Sequence, residues 1–333
     1  MSFVLGVDGG GTKTYAVVAD ENGTILSLGK GGPSNHQSIG VEKATEEIAK
    51  AIQEALDGAR LRSDDIAVGF LALAGADFPE DYEILTQGLQ RFSIAQKIIL
   101  KNDTIGAFLA GTKLGYGAVV ICGTGTNAAG VYRDGRTFQL GGIGYMSGDW
   151  GGAVSIVPEM IRLAFRSWDG RYGPSMIPER ILKSLGLSTM DEFMMQLYHD
   201  SIDRHKLLSL CPIVFEAAYE GDPIGIEIVE RQGEEVGLTA VAILRRLGLD
   251  REEADVVLNG SIFNAIGPLL IDTITHVVHR KAPLAKIRRA EFHPVIGSIF
   301  GALRAIGISV SDSIRQKVRE TMPEVLIMPE IRP

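Results

Sequence analysis

The strongest constraint on the fold of this 333-residue chain is a pattern that occurs twice. Val4 to Asp20 reads as a strand, a turn rich in glycine and threonine (Gly9-Gly10-Gly11-Thr12-Lys13-Thr14), and a second strand. Ala118 to Tyr132 repeats that outline around Gly123-Thr124-Gly125-Thr126. Each copy then passes a second turn, Glu21-Asn22-Gly23 or Arg133-Asp134-Gly135, into a third apolar run at Thr24-Ile25-Leu26 or Thr137-Phe138-Gln139-Leu140. The chain reads as internally duplicated. Glycines let backbone N–H groups approach anionic oxygens, and threonine hydroxyls add uncharged donors, so two such hairpins suit one phosphate chain. An ordinary hairpin turn would account for either copy alone; the pair, led by Asp8, favours phosphate.

Beyond the first meander, Val41, Ala44, Ile48, Ala51, Ile52 and Ala55 recur at helical spacing, and Ile66 to Leu73 is a continuous apolar strand. A helix near Tyr82 to Arg91, a strand from Lys97 to Leu100 and a helix from Thr104 to Thr112 complete a β-β-β-α-β-α-β-α order whose later strands should be parallel. The second half departs from this through a proline-punctuated helical region, Ser155 to about Tyr219, read as an insertion or cap. It then resumes with a long helix near Pro223 to Leu247, a strand Ala254 to Leu258 ending in Asn259-Gly260-Ser261, a helix near Phe263 to His279, a short strand around Ile287 and a helix from Pro294 to Ile306. The fold class is α/β.

Hydrophobic residues at 45% can fill two cores in a chain of this length. The net charge of −8 and the lack of a long basic run argue against a nucleic-acid partner; the densest cluster, Lys281 to Arg289, reads as a solvated face. Cys122 and Cys211 are the only cysteines and read as reduced core thiols. The chain enters a strand within three residues, without a signal sequence, and no apolar stretch is long enough for a bilayer, so a soluble cytoplasmic protein is expected.

The first glycine run is not a dinucleotide fingerprint or a P-loop, since both need a helix directly after the glycines and here an alternating strand follows. Asp8, at a strand end, could hold Mg²⁺ through water or merely cap the turn. Asp103 ends a buried strand and precedes a helix, where a carboxylate could accept a hydroxyl proton in line with a terminal phosphate. The same position suits a helix N-cap, and the duplicated phosphate loops tip the reading toward catalysis. Asn35 and His36 follow Gly31-Gly32-Pro33, a rigid loop fit either to bond hydroxyls or to stabilise itself; His36 reads as a neighbour rather than a ligand. The histidines and cysteines show no metal-ligand spacing, so structural zinc is not expected.

Taken together, Asp8-Gly9-Gly10-Gly11-Thr12-Lys13-Thr14, Ser34-Asn35-His36, Asn102-Asp103, Gly123-Thr124-Gly125-Thr126-Asn127 and Gly148-Asp149 carry a resemblance that runs from about Phe3 to Ile308. In their order and approximate spacing the chain resembles the N-acetylglucosamine kinases and the wider BadF/BadG/BcrA/BcrD ATPase family, within the group of actin, hexokinase and the heat-shock chaperone ATPases. The resemblance implies two actin-like (ribonuclease H-like) domains, each with a βββαβαβα core, with ATP and sugar in the cleft between them. Their expected bounds are 1–117 and 118–293, the latter holding the insertion at about 155–219. A helix at about 294–308 would pack back on the first domain, and 309–333 would form a tail. The implied reaction is Mg²⁺-dependent transfer of the γ-phosphoryl group of ATP to the 6-hydroxyl of an amino sugar, by a homodimer. N-acetyl-D-glucosamine leads, with glucosamine or glucose as alternatives. A BadF-type ATPase that couples hydrolysis to a partner reductase, holding an iron–sulfur cluster between subunits, is the second reading; a sugar-responsive binding protein is disfavoured by the intact phosphate loops and Asp103.

Carried over by position, the resemblance makes Thr12 and Thr124 phosphate contacts among Gly10, Gly11, Lys13, Thr14, Gly123 and Gly125, with Asp8 as the metal ligand. It makes Asn35 and Asp103 sugar-hydroxyl ligands and Asp103 the base. Thr126, Gly142-Ile143-Gly144 and Asp149 become further sugar-side contacts, Gly260-Ser261 a nucleoside contact, and Leu208-Ser209 neighbours of adenine. One departure bears on the substrate: relatives commonly continue Gly-Asp with Glu-Gly-Ser, whereas here Asp149 is followed by Trp150-Gly151-Gly152. Trp150 could stack on a sugar face, line an acyl pocket or simply pack.

Overall fold

Two five-stranded sheets carry the duplication. The computed structural model describes residues 2–328 and divides into two compact units, one running to Gly115 and resuming from Arg288 to Met328, the other Tyr116–Ile287. The sequence placed these boundaries at 117/118 and 293/294.

In the first unit β1 (Phe3–Gly9), β2 (Thr14–Asp20) and β3 (Ile25–Gly31) form an antiparallel meander. The short α1 (His36–Ile39), α2 (Val41–Ala59), β4 (Ile66–Leu73), α3 (Pro79–Leu89), β5 (Lys97–Asn102) and α4 (Asp103–Gly111) follow. Sheet order is β3-β2-β1-β4-β5, with β4 parallel to β1 and β5 parallel to β4. The near-continuous apolar character of β1, β2 and β4 follows from helices covering both faces. Ile48, Ala51, Ile52 and Ala55 of the α2 stripe are buried with Leu5, Val7, Ala16, Val18, Leu71 and Leu73 in one core, and Ala44 is buried as well.

The second unit repeats the plan with β6 (Gly117–Cys122), β7 (Thr126–Val131) and β8 (Thr137–Leu140) as the meander. The inserted helices are α5 (Ala153–Trp168), α6 (Ile177–Leu185), α7 (Met190–Tyr198), α8 (Arg204–Leu208) and α9 (Pro212–Tyr219). Then come α10 (Pro223–Leu247), β9 (Asp255–Asn259), α11 (Leu269–His279) and β10 (Lys286–Arg289), in sheet order β10-β9-β6-β7-β8. The insertion is not a separate cap: Ile156, Met160, Leu163, Phe193 and Leu210 share one core with Ala118 and Val120 of the sheet. The helix expected from Phe263 begins instead at Leu269, after a 3-10 turn at Ser261–Asn264, because Gly267 takes a positive φ of 83° and Pro268, with no N–H to donate, takes the N-cap position.

Two C-terminal helices, α12 (Pro294–Ala305) and α13 (Asp312–Thr321), belong to the first unit. Packed on β1 and α4, α12 donates from Ser298 Oγ to the Val7 carbonyl at 2.8 Å. A Cβ on Gly297 would lie 1.9 Å from the Gly106 carbonyl of α4, so glycine is what lets these helices cross at contact. Of the expected 309–333 tail, α13 and the 3-10 turn Glu324–Leu326 are ordered parts of the unit, and 329–333 lie outside the described residues.

Candidate active site

Parallel pairing brings the carboxyl ends of β1, β4 and β5 to one edge of the first sheet, the edge where α/β proteins bind ligands. Asp8 ends β1, the loop Ala74–Asp77 follows β4, and Asn102-Asp103 joins β5 to α4. Backbone bonds stitch these segments together: Ala74 N donates to the Gly9 carbonyl at 2.8 Å, and Ser34 N donates to the Gly10 carbonyl at 2.9 Å, which sets Asn35 beside the first hairpin. Asn35 Oδ1 accepts from Gln37 N at 3.0 Å and caps α1.

The two readings of Asp103 separate here. The N-cap of α4 is Asn102, whose Oδ1 accepts from Thr104 N at 3.0 Å and from Thr104 Oγ1 at 2.6 Å. Asp103 is therefore not needed for capping, and its Oδ1 is buried without a hydrogen-bond partner. Burial, then the nearby Asp77 carboxylate, raise its pKa to about 6, against the backbone amides of Thr104 and of Asp103 itself. Asp8 is raised further, to about 7, by burial and by Asp103, with Lys13 opposing. His293 caps α12 by accepting from Val295 N at Nδ1 (3.3 Å), and that Nδ1 stands 3.7 Å from Asp8 Oδ2. Burial and Lys13 lower His293 to about 4, so the imidazole is neutral and gives Asp8 no cationic partner.

These carboxylates fit magnesium. Among the described residues no group of three or more His, Cys, Asp or Glu could cage a metal. A lone strand-end carboxylate that burial pushes toward protonation instead suits an ion that keeps water and takes its other ligands from phosphates.

In the second unit the hairpin turns through Gly123-Thr124-Gly125 and is braced by α5: Ala153 N and Val154 N donate to the carbonyls of Gly123 and Thr124, each at 2.9 Å. Ser261 Oγ lies 3.8 Å from the Cβ position of Gly123, so Gly260-Ser261 does meet this loop. The paired threonines divide their roles. Thr12 and Thr124 are exposed at the turns, together with Gly11, Lys13 and Gly125. Thr14 Oγ1 donates inward to the Gly32 carbonyl at 2.8 Å and is hydrogen-bonded to Ser34 Oγ at 2.7 Å, and Thr126 Oγ1 donates to the Ile121 carbonyl at 3.1 Å. The amides of Gly142, Ile143 and Gly144 converge at 2.9, 3.0 and 2.8 Å on Asp149 Oδ2, so this turn and Asp149 form one closed motif. Trp150 packs against the second core and carries the Arg231 guanidinium over its ring at 4.3 Å, which occupies one indole face. Ser209 Oγ, beside Leu208, bonds the Lys206 carbonyl at 2.7 Å, one turn back along α8.

Sequence reasoning missed Asp77, the His36–Asp81 pair (Nε2 to Oδ1, 3.0 Å) and His293. Asp77 had a signal: the loop after β4 is the repeat's counterpart of the loop after β9, where Gly260-Ser261 had been singled out. His293 had none, because only the return of α12 to β1 brings it to Asp8.

The model of the BadF/BadG/BcrA/BcrD ATPase family matches residues 5–302. The chain belongs to this family. Among curated relatives, it is 26% identical over 299 residues to the N-acetylmuramic acid/N-acetylglucosamine kinase of Clostridium acetobutylicum, covering 90% of this chain and 97% of the relative. It is 29% identical over 315 residues to the N-acetyl-D-glucosamine kinase of Dictyostelium discoideum, covering 90% and 98%. Among solved structures, the ROK family glucokinase of Streptomyces griseus, in complex with glucose and AMPPNP, superposes with a TM-score of 0.57 at 19% identity, covering 91% of this chain and 99% of that one. Membership of the family makes the chain an ATP-using enzyme with the actin-like fold, and among its described residues no helix is long and apolar enough to cross a membrane.

Proposed function

We propose that the chain is an ATP-dependent kinase acting on the 6-hydroxyl of an amino sugar, with N-acetyl-D-glucosamine as the leading substrate. The observation that carries the reading is Asp103: a buried carboxylate at a strand–helix junction, relieved of capping by Asn102 and with a pKa of about 6, close to working pH. Asn35 and Asp103 orient the sugar, and Asp103 takes the proton of the attacking hydroxyl. Thr12 and Thr124, exposed at their turns, bond phosphate oxygens, with Gly260-Ser261 beside the second hairpin. Asp8 is the residue that would hold magnesium, and the ion would supply neutralisation of phosphate charge. Positioning and charge neutralisation supply most of the acceleration, as phosphoryl transfer leaves little covalent work to the protein. The enzyme would act in the cytoplasm, where its phosphoryl donor is abundant, as a homodimer.

The cysteines disfavour a reductase-coupled ATPase. Burial pushes the Cys122 thiol up to about 11 and the Cys211 thiol up to about 12, and Cys122 Sγ meets Thr126 Oγ1 at 3.3 Å inside the fold. Buried protonated thiols do not fit an exposed cluster shared between subunits.

The test is coupled ADP release against N-acetylglucosamine, glucosamine, glucose, N-acetylmannosamine and N-acetylmuramic acid. A sugar-dependent rate that Asp103→Asn lowers by roughly 10²–10⁴-fold, with nucleotide affinity kept, is expected for loss of a general base. ADP release indifferent to every sugar would point to the coupling ATPase.

A further inference from the structure

Asp77 lies in the loop after β4, and the reading above gives it no task. Its backbone is fixed by the first turn of α3: Asp77 N donates to Asp81 Oδ2 at 3.2 Å, the oxygen that also takes the Phe78 amide at 2.8 Å. Its carboxylate spans two other segments, with Oδ1 accepting from Asn102 Nδ2 at 2.9 Å and Oδ2 from Gln37 Nε2 at 3.3 Å. Asn102 uses its own Oδ1 to cap α4, so its side chain is held at both ends, and Asp103, the first residue of that helix, is held with it. Gln37 is the residue whose N–H bonds Asn35 Oδ1, and its Nε2 also reaches the Gly75 carbonyl at 3.3 Å. One carboxylate thus links the turn that presents Asp103 to the loop that presents Asn35.

We propose that Asp77 is a positioning residue which, through Asn102 and Gln37, holds Asn35 and Asp103 in the mutual geometry that a sugar hydroxyl must meet. The assignment rests on the kinase reading for the roles of those two residues. Two hydrogen bonds from one rigid side chain fix both partners more tightly than separate anchors would, and a misplacement of about 1 Å at a reacting group can cost on the order of 10²-fold in rate. Asp77 has a second effect through its charge. The charged and titratable groups around Asp103 are Asp8 on β1, Asp77, Tyr82 on α3 and, further out, Lys13, His36, Asp81 and His293. Of these, Asp77 contributes the largest electrostatic push on Asp103 toward the protonated form.

Asp77→Asn keeps the shape but removes the charge, and it sets an amide donor against one of the two donors it formerly accepted. Gln37→Met cuts the loop tie alone and leaves the charge. Asp103 is followed by carboxyl-carbon NMR titration, with its signal identified by its loss in Asp103→Asn, a readout independent of turnover. In Asp77→Asn the Asp103 midpoint should fall by roughly one pH unit, and kcat on N-acetylglucosamine should fall roughly 10–100-fold. Gln37→Met should leave the midpoint in place and raise the sugar KM by roughly 3–10-fold. A merely structural Asp77 would lower Tm and leave kcat and the sugar KM of both variants at wild-type values, which overturns the proposal, as does an unmoved Asp103 midpoint in Asp77→Asn. A wild-type protein that turns over no sugar would remove the kinase reading on which the assignment rests, whereas wild-type turnover with unchanged kcat and KM in the variants overturns the tie alone.

Discussion

Asp8 and Asp103 both titrate well above the ordinary carboxylate range, at about 7 and about 6, because burial costs them hydration and each stands near another acid. A carboxyl group whose pKa is higher folded than unfolded adds stability that is complete below its unfolded value, near 4, and is lost as the pH rises through its folded value. These two residues therefore weigh against the fold at pH 8 and not at pH 4. Asp103→Asn removes one of the charges and should raise the Tm of the first unit at pH 8 by roughly 2–4 °C, the shift ~1 kcal/mol gives in a folding unit of about 150–250 residues. The gain should fade by pH 4.5, and calorimetry at both values checks it. A variant no more stable than the wild type at pH 8 would mean that Asp103 carries no charge strain. How far Asp103 was legible is set by this chemistry: the sequence places a carboxylate at a strand–helix junction, but base and cap occupy that same junction. Only the direction of the Asn102 side chain decides between them.

At the scale of elements, strand and helix periodicities locate the duplicated pieces, because the repeat supplies a second example of each, while the five inserted helices are legible only as one helical region. Ile66–Leu73 and Pro223–Leu247 coincide with β4 and α10. The start of α11 is lost where the apolar pattern runs on through Gly267-Pro268 and backbone conformation overrides it. What periodicity cannot report is bracing between elements, and the second hairpin depends on it. Gly152, the N-cap of α5, has φ of 68°, and a Cβ there would lie 2.5 Å from the Gly125 carbonyl. Gly152→Ala should displace the Gly123–Gly125 turn at a cost of roughly 1–3 kcal/mol. The nucleotide KM should rise by about 10-fold while the sugar KM holds. Steady-state kinetics with each substrate varied separates the two, and an unchanged nucleotide KM would detach this turn from phosphate binding.

For the whole molecule, duplication accounts for two sheets of one order but not for the helices that return to the first unit, whose partners are remote in sequence. Arg315 of α13 shows what that return achieves. It is only 4% exposed, donates to the Thr112 carbonyl, and sits 3.8 Å from Glu291, which also pairs with Arg319 at 2.7 Å. Its guanidinium lies 5.1 Å from the Phe300 ring centroid and 5.9 Å from that of Phe292. Thr112 lies just before the chain leaves the unit after Gly115, and Glu291 just after it re-enters at Arg288. A single buried cation therefore fastens both crossing segments to the same helix. Arg315→Ala takes one partner from Glu291 and one donor from the Thr112 carbonyl, a loss of roughly 2–4 kcal/mol. Arg315→Lys should fall between Ala and the wild type, because an ammonium lacks the planar fork that serves a carbonyl, a carboxylate and two rings together. The expected result is a lower Tm with new protease cleavage near Thr112–Gly115 and Arg288–Glu291 before global unfolding. Arg315→Ala with wild-type Tm and an unchanged cleavage pattern would show that the crossings are held without it.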